Sequence, residues 1–150
     1  MNNNTGFTLI EVLIAMLVLA VGLLGLAALQ ATGLKNNLSA YSRSQATQLA
    51  YDMSDRMRAN RADSQNLAAS TYVTVVPADA VAKANCEQVA NTCSVADMAE
   101  NDLFIWNNAI TTVLPMGLGT IALNGSIFTI TINWDDNRDV IEMLMTQIFR

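Results

Sequence analysis

With 150 residues, the chain has room for one compact domain and an appendage, which excludes a large multidomain protein. Acidic residues outnumber basic ones by 13 to 8, and the basic residues form no cluster, so binding to nucleic acid is not expected. Because the sequence has no histidine, histidine-based triads, histidine zinc sites and imidazole acid–base catalysis are excluded for this chain alone.

The N-terminus is polar for six residues and then strongly apolar. Residues 1–6 read MNNNTG, and the eighteen residues from Val12 to Leu29 contain no polar side chain. As a helix this run is about 27 Å long, close to the hydrocarbon thickness of a bilayer. A secretory signal would instead have a basic start and a small-residue cleavage site after its apolar core. The pattern therefore predicts a retained transmembrane helix over residues 7–34.

Glu11 is the single charged residue in that segment. A carboxylate near the centre of a membrane helix costs about 2.5–3.5 kcal/mol on insertion, and somewhat less near the helix end. If the chain is cut after Gly6, the new α-amino group of Phe7 lies on the same helix face as Glu11, at i and i+4. The amino terminus of a neighbouring subunit is then a partner for this carboxylate. The alternative is a carboxylate that lies in the headgroup region.

The sequence from Gly6 to Glu11, GFTLIE, resembles the processing motif of type IV pilins and of the related pseudopilins. In that family a membrane-bound prepilin peptidase cuts between the glycine and the aromatic residue and methylates the new amino terminus. The resemblance implies that Gly6 and Phe7 flank the cut, that Phe7 is N-methylated, and that Glu11 is the assembly carboxylate. Two features depart from the pattern: the leader lacks the Lys or Arg usual in the family, and Ala28 replaces the helix-bending proline usual in major pilins.

Residues 35–61 continue the helical pattern without a proline and make it amphipathic. The predicted apolar stripe consists of Leu34, Leu38, Tyr41, Leu49, Met53 and Met57. A helix over residues 7–61 would be roughly 80 Å long, so we expect its first half to project from the rest of the chain. The stripe on its second half is expected to pack on a globular periplasmic head, residues 62–150.

The head begins with one predicted strand and a pair of cysteines. The β-branched run Thr71–Val76 predicts a strand that Pro77 ends. Cys86 and Cys93 enclose a short loop. Behind a membrane-targeting segment their expected fate is a disulfide, and two free thiols are the alternative.

A helix is predicted next, because Ser94 and Asp97 have capping-box spacing. It is expected to end before Pro115 and two glycines. Its predicted buried face comprises Leu103, Trp106, Ala109, Ile110 and Val113.

The last third predicts a three-stranded antiparallel meander. Asn124–Gly125 is a favourable two-residue hairpin turn between two β-branched runs. Strict alternation places four apolar residues on one face, namely Phe128, Ile130, Ile132 and Trp134. Val140–Phe149 is the predicted third strand. The preceding loop contains Asp135, Asp136 and Asp139 but lacks the full ligand spacing of an EF-hand, so a solvated turn is expected there.

The predicted fold class is α+β, with a long N-terminal helix packed in its second half on a small antiparallel sheet. The cysteine pair, the Trp-bearing helix and a hairpin ending in Ile-Asn-Trp-Asp resemble the minor pilins of the pilus modification protein family. This resemblance implies a minor pilin held in the bacterial inner membrane, with its head in the periplasm, which then enters the pilus. The implied partners are the major pilin, other minor pilins and the tip adhesin.

No catalytic, cofactor or metal motif is recognised, so the sequence predicts neither an enzyme nor a cofactor. A minor pseudopilin of a type II secretion system is the alternative function, because residues 1–12 do not separate the two systems. A membrane-anchored periplasmic enzyme or binding module would require an N-terminus that matches the processing motif by coincidence.

Overall fold

The fold is given by a computed structural model that describes residue 6 and residues 8–88, 92–136 and 140–148. The helices are α1 Leu9–Ala59, α2 Arg61–Ser64, α3 Thr71–Thr74 and α4 Val95–Val113. The strands are β1 Leu118–Asn124, β2 Ile127–Asp135 and β3 Val140–Ile148. Short 3₁₀ helices occupy Leu67–Ala69, Pro77–Asp79 and Ala84–Cys86. The predicted α+β class, with a long apolar helix and a small antiparallel sheet, is confirmed.

The chain forms two compact units, Met1–Ala40 and Tyr41–Arg150. The first unit contains the N-terminal part of α1, where residues 9–38 are all exposed. The second unit contains the rest of α1, the shorter helices and the sheet. The hydrophobic core lies in this second unit.

The part of α1 in the second unit buries one face, which combines small and large apolar side chains. Ala46, Ala50, Met53 and Met57 are fully buried, at spacings of four, three and four residues. Leu49 is half-buried beside them, and its carbonyl accepts a hydrogen bond of 2.9 Å from the indole nitrogen of Trp106. The predicted stripe is therefore confirmed in its C-terminal half.

The N-terminal half of the predicted stripe is wrong. Leu34, Leu38 and Tyr41 are 72%, 61% and 58% exposed. The observed face includes Ser42 and Ala46, and it is rotated by roughly a quarter turn from the large apolar side chains. Small residues let neighbouring elements approach the helix closely, which a pattern weighted by side-chain size does not detect.

Helix α4 begins at the predicted cap. The Ser94 hydroxyl accepts a hydrogen bond of 3.0 Å from the Asp97 N–H and donates one of 2.7 Å to the Asp97 carboxylate. The side chain thus satisfies one of the free N–H groups of the first turn. The predicted capping role of Ser94 is confirmed.

The inner face of α4 meets the core as predicted at most positions. Its fully buried members are Leu103, Trp106 and Ile110. Ala109 is half-buried, and Val113 is 39% exposed because the helix ends there. Strand β1 approaches this face closely, since a Cβ built on Gly119 would lie 2.5 Å from the Trp106 ring. Glycine is therefore required at position 119.

The predicted strand Thr71–Val76 is wrong, because Thr71–Thr74 forms helix α3. The buried Asp63 carboxylate accepts hydrogen bonds from the Thr71 N–H at 2.9 Å and the Thr71 hydroxyl at 2.8 Å. It also accepts one of 2.7 Å from the hydroxyl of Ser70, the residue that caps α3. These contacts fix a helical turn and override the β preference of the sequence.

A polar network joins α1, α3 and α4 within the second unit. The Asp102 carboxylate accepts hydrogen bonds from the Tyr72 hydroxyl at 2.7 Å and from Arg56 Nη1 at 3.0 Å. Arg56 Nε also donates to Asp52 at 2.8 Å. Burial alone would lower the pKa of Arg56, but its bonds with both carboxylates raise that pKa above the ordinary value. Burial, and then the hydrogen bond to Asp102, raise the pKa of Tyr72 far above its usual range.

The raised pKa of Tyr72 makes the stability of the head depend on pH in alkaline solution. The unfolded chain loses the Tyr72 proton above about pH 10, whereas the folded chain keeps it. Stability is therefore complete below that pH and falls by about 1.4 kcal/mol for each further pH unit. Denaturant titration of the full chain in detergent at pH 8 and at pH 11 measures the free energy of unfolding at each pH and checks this.

We expect Tyr72→Phe to abolish most of the loss of stability between these two pH values. The matched control is Tyr51→Phe, because Tyr51 is 52% exposed on α1 whereas Tyr72 is fully buried. An equal alkaline loss in Tyr72→Phe and in the parent chain would contradict the assignment.

The hairpin is confirmed, but its turn lies one residue later than predicted. Asn124 pairs with Ile127, so the two-residue turn is Gly125–Ser126 rather than Asn124–Gly125. Gly125 has a φ of +65°, and Ser126 has no positive φ. Glycine at the first central position suits a type II′ turn, so the glycine itself sets the register.

The sheet has the order β1-β2-β3 with antiparallel pairing throughout. The predicted inner face of β2 is buried at Phe128, Ile130, Ile132 and Trp134. The third strand is confirmed over Val140–Ile148, while the predicted end at Phe149 and the loop residue Asp139 lie outside the described residues.

Candidate functional site

Gly6 precedes α1, Glu11 lies in the first turn of that helix, and Phe7 between them is outside the described residues. The Thr8 carbonyl accepts a hydrogen bond of 3.1 Å from the Glu11 N–H, which places Glu11 in the first turn of the helix. A carboxylate in this turn is stabilised by the helix dipole. The side chain of Glu11 is exposed, so it is available to a group from outside the chain.

Nothing in the described fold requires glycine at position 6. Gly6 is exposed, and a Cβ built on it would meet no atom within 4 Å. A larger side chain would therefore fit without disturbing the described structure.

The apolar part of α1 is exposed along its whole length. Leu9, Leu24 and Leu29, for example, are 87%, 71% and 71% exposed. An 18-residue window of this helix has a mean hydropathy of 2.9, and none of it is buried. The helix is long and apolar enough to cross a membrane. Soluble monomers rarely expose an apolar surface of this extent, so lipid or other helices are needed to cover it.

Three glycines lie on the same side of α1 as Glu11. Glu11, Gly22 and Gly33 are each eleven residues apart, which is three helical turns plus about 20°. Gly25 follows Gly22 by three residues and so lies about 60° from it around the helix, still on the same half of the helix surface. A Cβ on Gly22, Gly25 or Gly33 would meet no atom within 4 Å. Each glycine costs about 1 kcal/mol in a helix interior, and the described fold gives no packing reason for that cost.

Cys86 and Cys93 are joined in a disulfide, the predicted pairing. Their Cα atoms are 4.9 Å apart and seven positions separate them. The bridge closes a short loop just before the cap of α4, so it constrains a local segment of the head. Its entropic contribution is smaller than that of a bridge closing a long loop.

A cavity of about 310 Å³ lies between the end of α1 and the start of α4. Its lining includes Arg56, Asn60, Cys93, Met98 and Asp102. Arg56 and Asp102 are already paired with each other, and the Asn60 amide donates a hydrogen bond of 2.7 Å to the carbonyl of Val95. These groups hold the elements of the head together.

The sequence did not predict the cavity or its central ion pair. Arg56 and Asp102 are 46 residues apart, and no local spacing connects them. Among the side chains of residues 6, 8–88 and 92–136, no group of three or more Cys, Asp or Glu is placed to hold a metal ion.

Two family models match the chain, and their matches adjoin. A model described as type IV pilin Tt1218 matches residues 28–104, just over half of the chain. A model of the prokaryotic N-terminal methylation motif matches residues 1–27, which include Gly6, Phe7 and Glu11. No curated protein and no solved structure matches the chain.

Proposed function

Since the chain belongs to the type IV pilin family, we propose that it is a minor pilin that primes the assembly of a type IV pilus. Members of this family are structural subunits rather than enzymes. The methylation motif implies processing by the prepilin peptidase and assembly with other pilins. One observation carries the proposal: the matched motif, residues 1–27, includes the start of an apolar helix that the rest of the described chain leaves uncovered.

The proposed precursor has four segments. Residues 1–6 form the leader, residues 7–34 the membrane helix, residues 35–61 its amphipathic continuation, and residues 62–150 the periplasmic head. The apolar helix holds the precursor in the inner membrane as a single span, a role that its length and exposure support. Cleavage between Gly6 and Phe7 then exposes a new α-amino group, which the peptidase methylates.

Glu11 is the proposed link between subunits. As an unpaired carboxylate in the bilayer it costs about 2.5–3.5 kcal/mol, and somewhat less near a helix end. A positively charged α-amino group from an adjacent subunit would remove most of this penalty in a medium of low dielectric constant. The exposed position of Glu11 in the first turn leaves it accessible to such a partner. The Glu11 carboxylate is thus unpaired in the membrane and paired in the filament, which favours the movement of the subunit into the filament.

The glycine side of α1 supports helix packing in the same filament. Gly22, Gly25 and Gly33 follow Glu11 along one side of the helix. The space that a side chain would occupy at each of them is free of other described residues. Small residues allow helix backbones to approach closely in an apolar environment. A neighbouring helix that lies on this side would therefore be guided toward Glu11.

A minor rather than a major role is supported by features of both the membrane helix and the head. Ala28 replaces the helix-bending proline, and no cysteine follows Cys93 to close the long C-terminal loop common in major pilins. The cysteine pair and the hairpin ending at Asp135 resemble those of PilV-type minor pilins. The proposed partners are the major pilin, other minor pilins and the tip adhesin.

The experiment that tests this function measures pili and secretion in the same strains. We expect the chain to be present in sheared pili at a small fraction of the major pilin. Its deletion should reduce the number of pili, and the full chain should restore it. A secretion defect with normal pili would instead support the pseudopilin of a type II secretion system.

A further inference from the structure

Strand β1 lacks three features that can protect a sheet edge, namely charged residues, proline and a bulge. No charged residue occurs from Leu118 to Trp134, although residues 62–150 contain ten acidic and three basic residues. Strand β1 lies at the edge of the sheet, contains no proline and pairs with β2 without a bulge. Natural proteins place charges, prolines or bulges on edge strands to prevent pairing with another chain. This edge is therefore competent to receive a strand.

The unpaired backbone groups of this edge belong to Ile121 and Leu123. Asn124 and Ile127 flank a two-residue turn and form a hydrogen-bonded pair, after which such pairs alternate along the ladder. The N–H and C=O groups of Ile121 and Leu123 therefore point away from β2. Within the part of the chain that the structure describes, no hydrogen bond from outside the hairpin reaches these four groups.

The apolar side chains of the two residues that carry these backbone groups are only partly covered by the rest of the head. Ile121 and Leu123 are half-buried and pack against the core. Thr120 and Ala122, which alternate with them, are exposed on the opposite side of the sheet. Gly119 is buried, so the open part of the edge is the end of β1 next to the turn.

We propose that an extended segment of a neighbouring pilus subunit adds to this edge as a further strand, an inference that rests on the proposed function. The segment would exchange backbone hydrogen bonds with Ile121 and Leu123 and cover their side chains with an apolar residue. Its occupant is a different subunit rather than a second copy of this chain, for an electrostatic reason.

Asp79 supplies that reason. It ends the 3₁₀ helix Pro77–Asp79, which approaches β1. Its carboxylate is exposed and has no ion-pair partner among the described residues. Two copies paired through β1 would each bring an Asp79 carboxylate beside the shared edge, and like charges placed close together are unfavourable. A segment from another pilin that carries Lys or Arg near Asp79 would be favoured.

Amide hydrogen exchange of the full chain tests this proposal. One sample is the chain purified in detergent, and the other is sheared pili enriched through a tag on this chain. We expect the amides of Ile121 and Leu123 to exchange at least about tenfold more slowly in pili than in detergent. The amides of Thr120 and Ala122, which are paired with β2, serve as internal controls and should be slow in both samples.

The outcomes distinguish failure of the strand-addition proposal from failure of the proposed pilin function. If the chain is recovered in pili and both edge amides still exchange rapidly, the edge proposal is overturned and the pilin function stands. If the edge amides already exchange slowly in detergent, and more slowly as the protein concentration is raised, two copies pair and the proposed occupant is wrong. If the chain is absent from pili, both proposals fail.

A matched pair of variants tests whether the edge matters for assembly. Ile121→Pro removes one outward N–H and keeps the ladder to β2, because proline is tolerated where the N–H faces outward. Ile121→Val keeps the N–H. We expect about tenfold less Ile121→Pro than Ile121→Val in pili, with equal N-terminal processing and similar denaturant midpoints. Equal recovery of the two folded variants would overturn the proposal, and if Ile121→Pro does not fold, hydrogen exchange of the parent chain decides.

Discussion

Replacing Glu11 with alanine is expected to lower the amount of this chain in pili by at least about 100-fold. Loss of one member of a buried ion pair costs about 3–5 kcal/mol, because the remaining charge has no partner. Each 1.4 kcal/mol is a factor of ten in a binding equilibrium. In the proposed assembly the charge left unpaired is the α-amino group of the adjacent subunit. Quantitative immunodetection of sheared pili and of membranes measures the change.

Two controls separate charge from expression. Glu11→Gln keeps the size and polarity of the side chain but not its charge, so it should fail nearly as completely as alanine. Glu87→Ala removes an exposed carboxylate from the head and should leave incorporation unchanged. The amount of Glu11→Ala chain in the membrane should not fall, because the substitution removes a polar group from an apolar helix. Normal recovery of Glu11→Ala in pili would contradict the proposed role.

Replacing Gly6 with leucine is expected to abolish processing and therefore incorporation. A side chain at this position meets no atom of the described fold, so the precursor should fold and insert normally. On the proposed function the effect arises at the peptidase, which would need close access to the peptide bond between Gly6 and Phe7. The precursor should accumulate in the membrane with its leader attached, and the size of the chain on a gel measures this.

The conservative variant Gly6→Ala provides the comparison. Alanine adds one methyl group and should be processed more slowly than the parent but faster than Gly6→Leu. If Gly6→Leu is processed at the rate of the parent chain, the cleavage site lies elsewhere.

The secondary-structure elements of this fold could be predicted where one local sequence pattern dominates. The eighteen apolar residues from Val12 to Leu29 and the alternation from Phe128 to Trp134 each predicted an element correctly. The cap at Ser94 was also predicted, because capping depends on residues three positions apart. In each case the signal lies within a few turns of the element that it specifies.

Elements fixed by distant contacts could not be predicted in this way. Thr71–Thr74 has β-branched residues but is helical, because the Asp63 carboxylate holds its first residue. The stripe at Leu38 and Tyr41 was wrong because alanines determine which face of α1 packs closely.

The candidate site divides in the same manner. Gly6, Phe7 and Glu11 form a contiguous motif, which made them recognisable in the sequence. The pairing of Arg56 with Asp102 and the open backbone groups of Ile121 depend on the tertiary fold and on the register of a turn. The shift of that turn by one residue decides which groups of β1 face outward.

Mass spectrometry of the mature N-terminus in assembled pili tests the central claim most directly. If the chain is a processed pilin, its N-terminal peptide should begin at Phe7 and carry one methyl group on the α-amino nitrogen. An intact Met1 in chains recovered from pili, or an unmodified start at another residue, would contradict it.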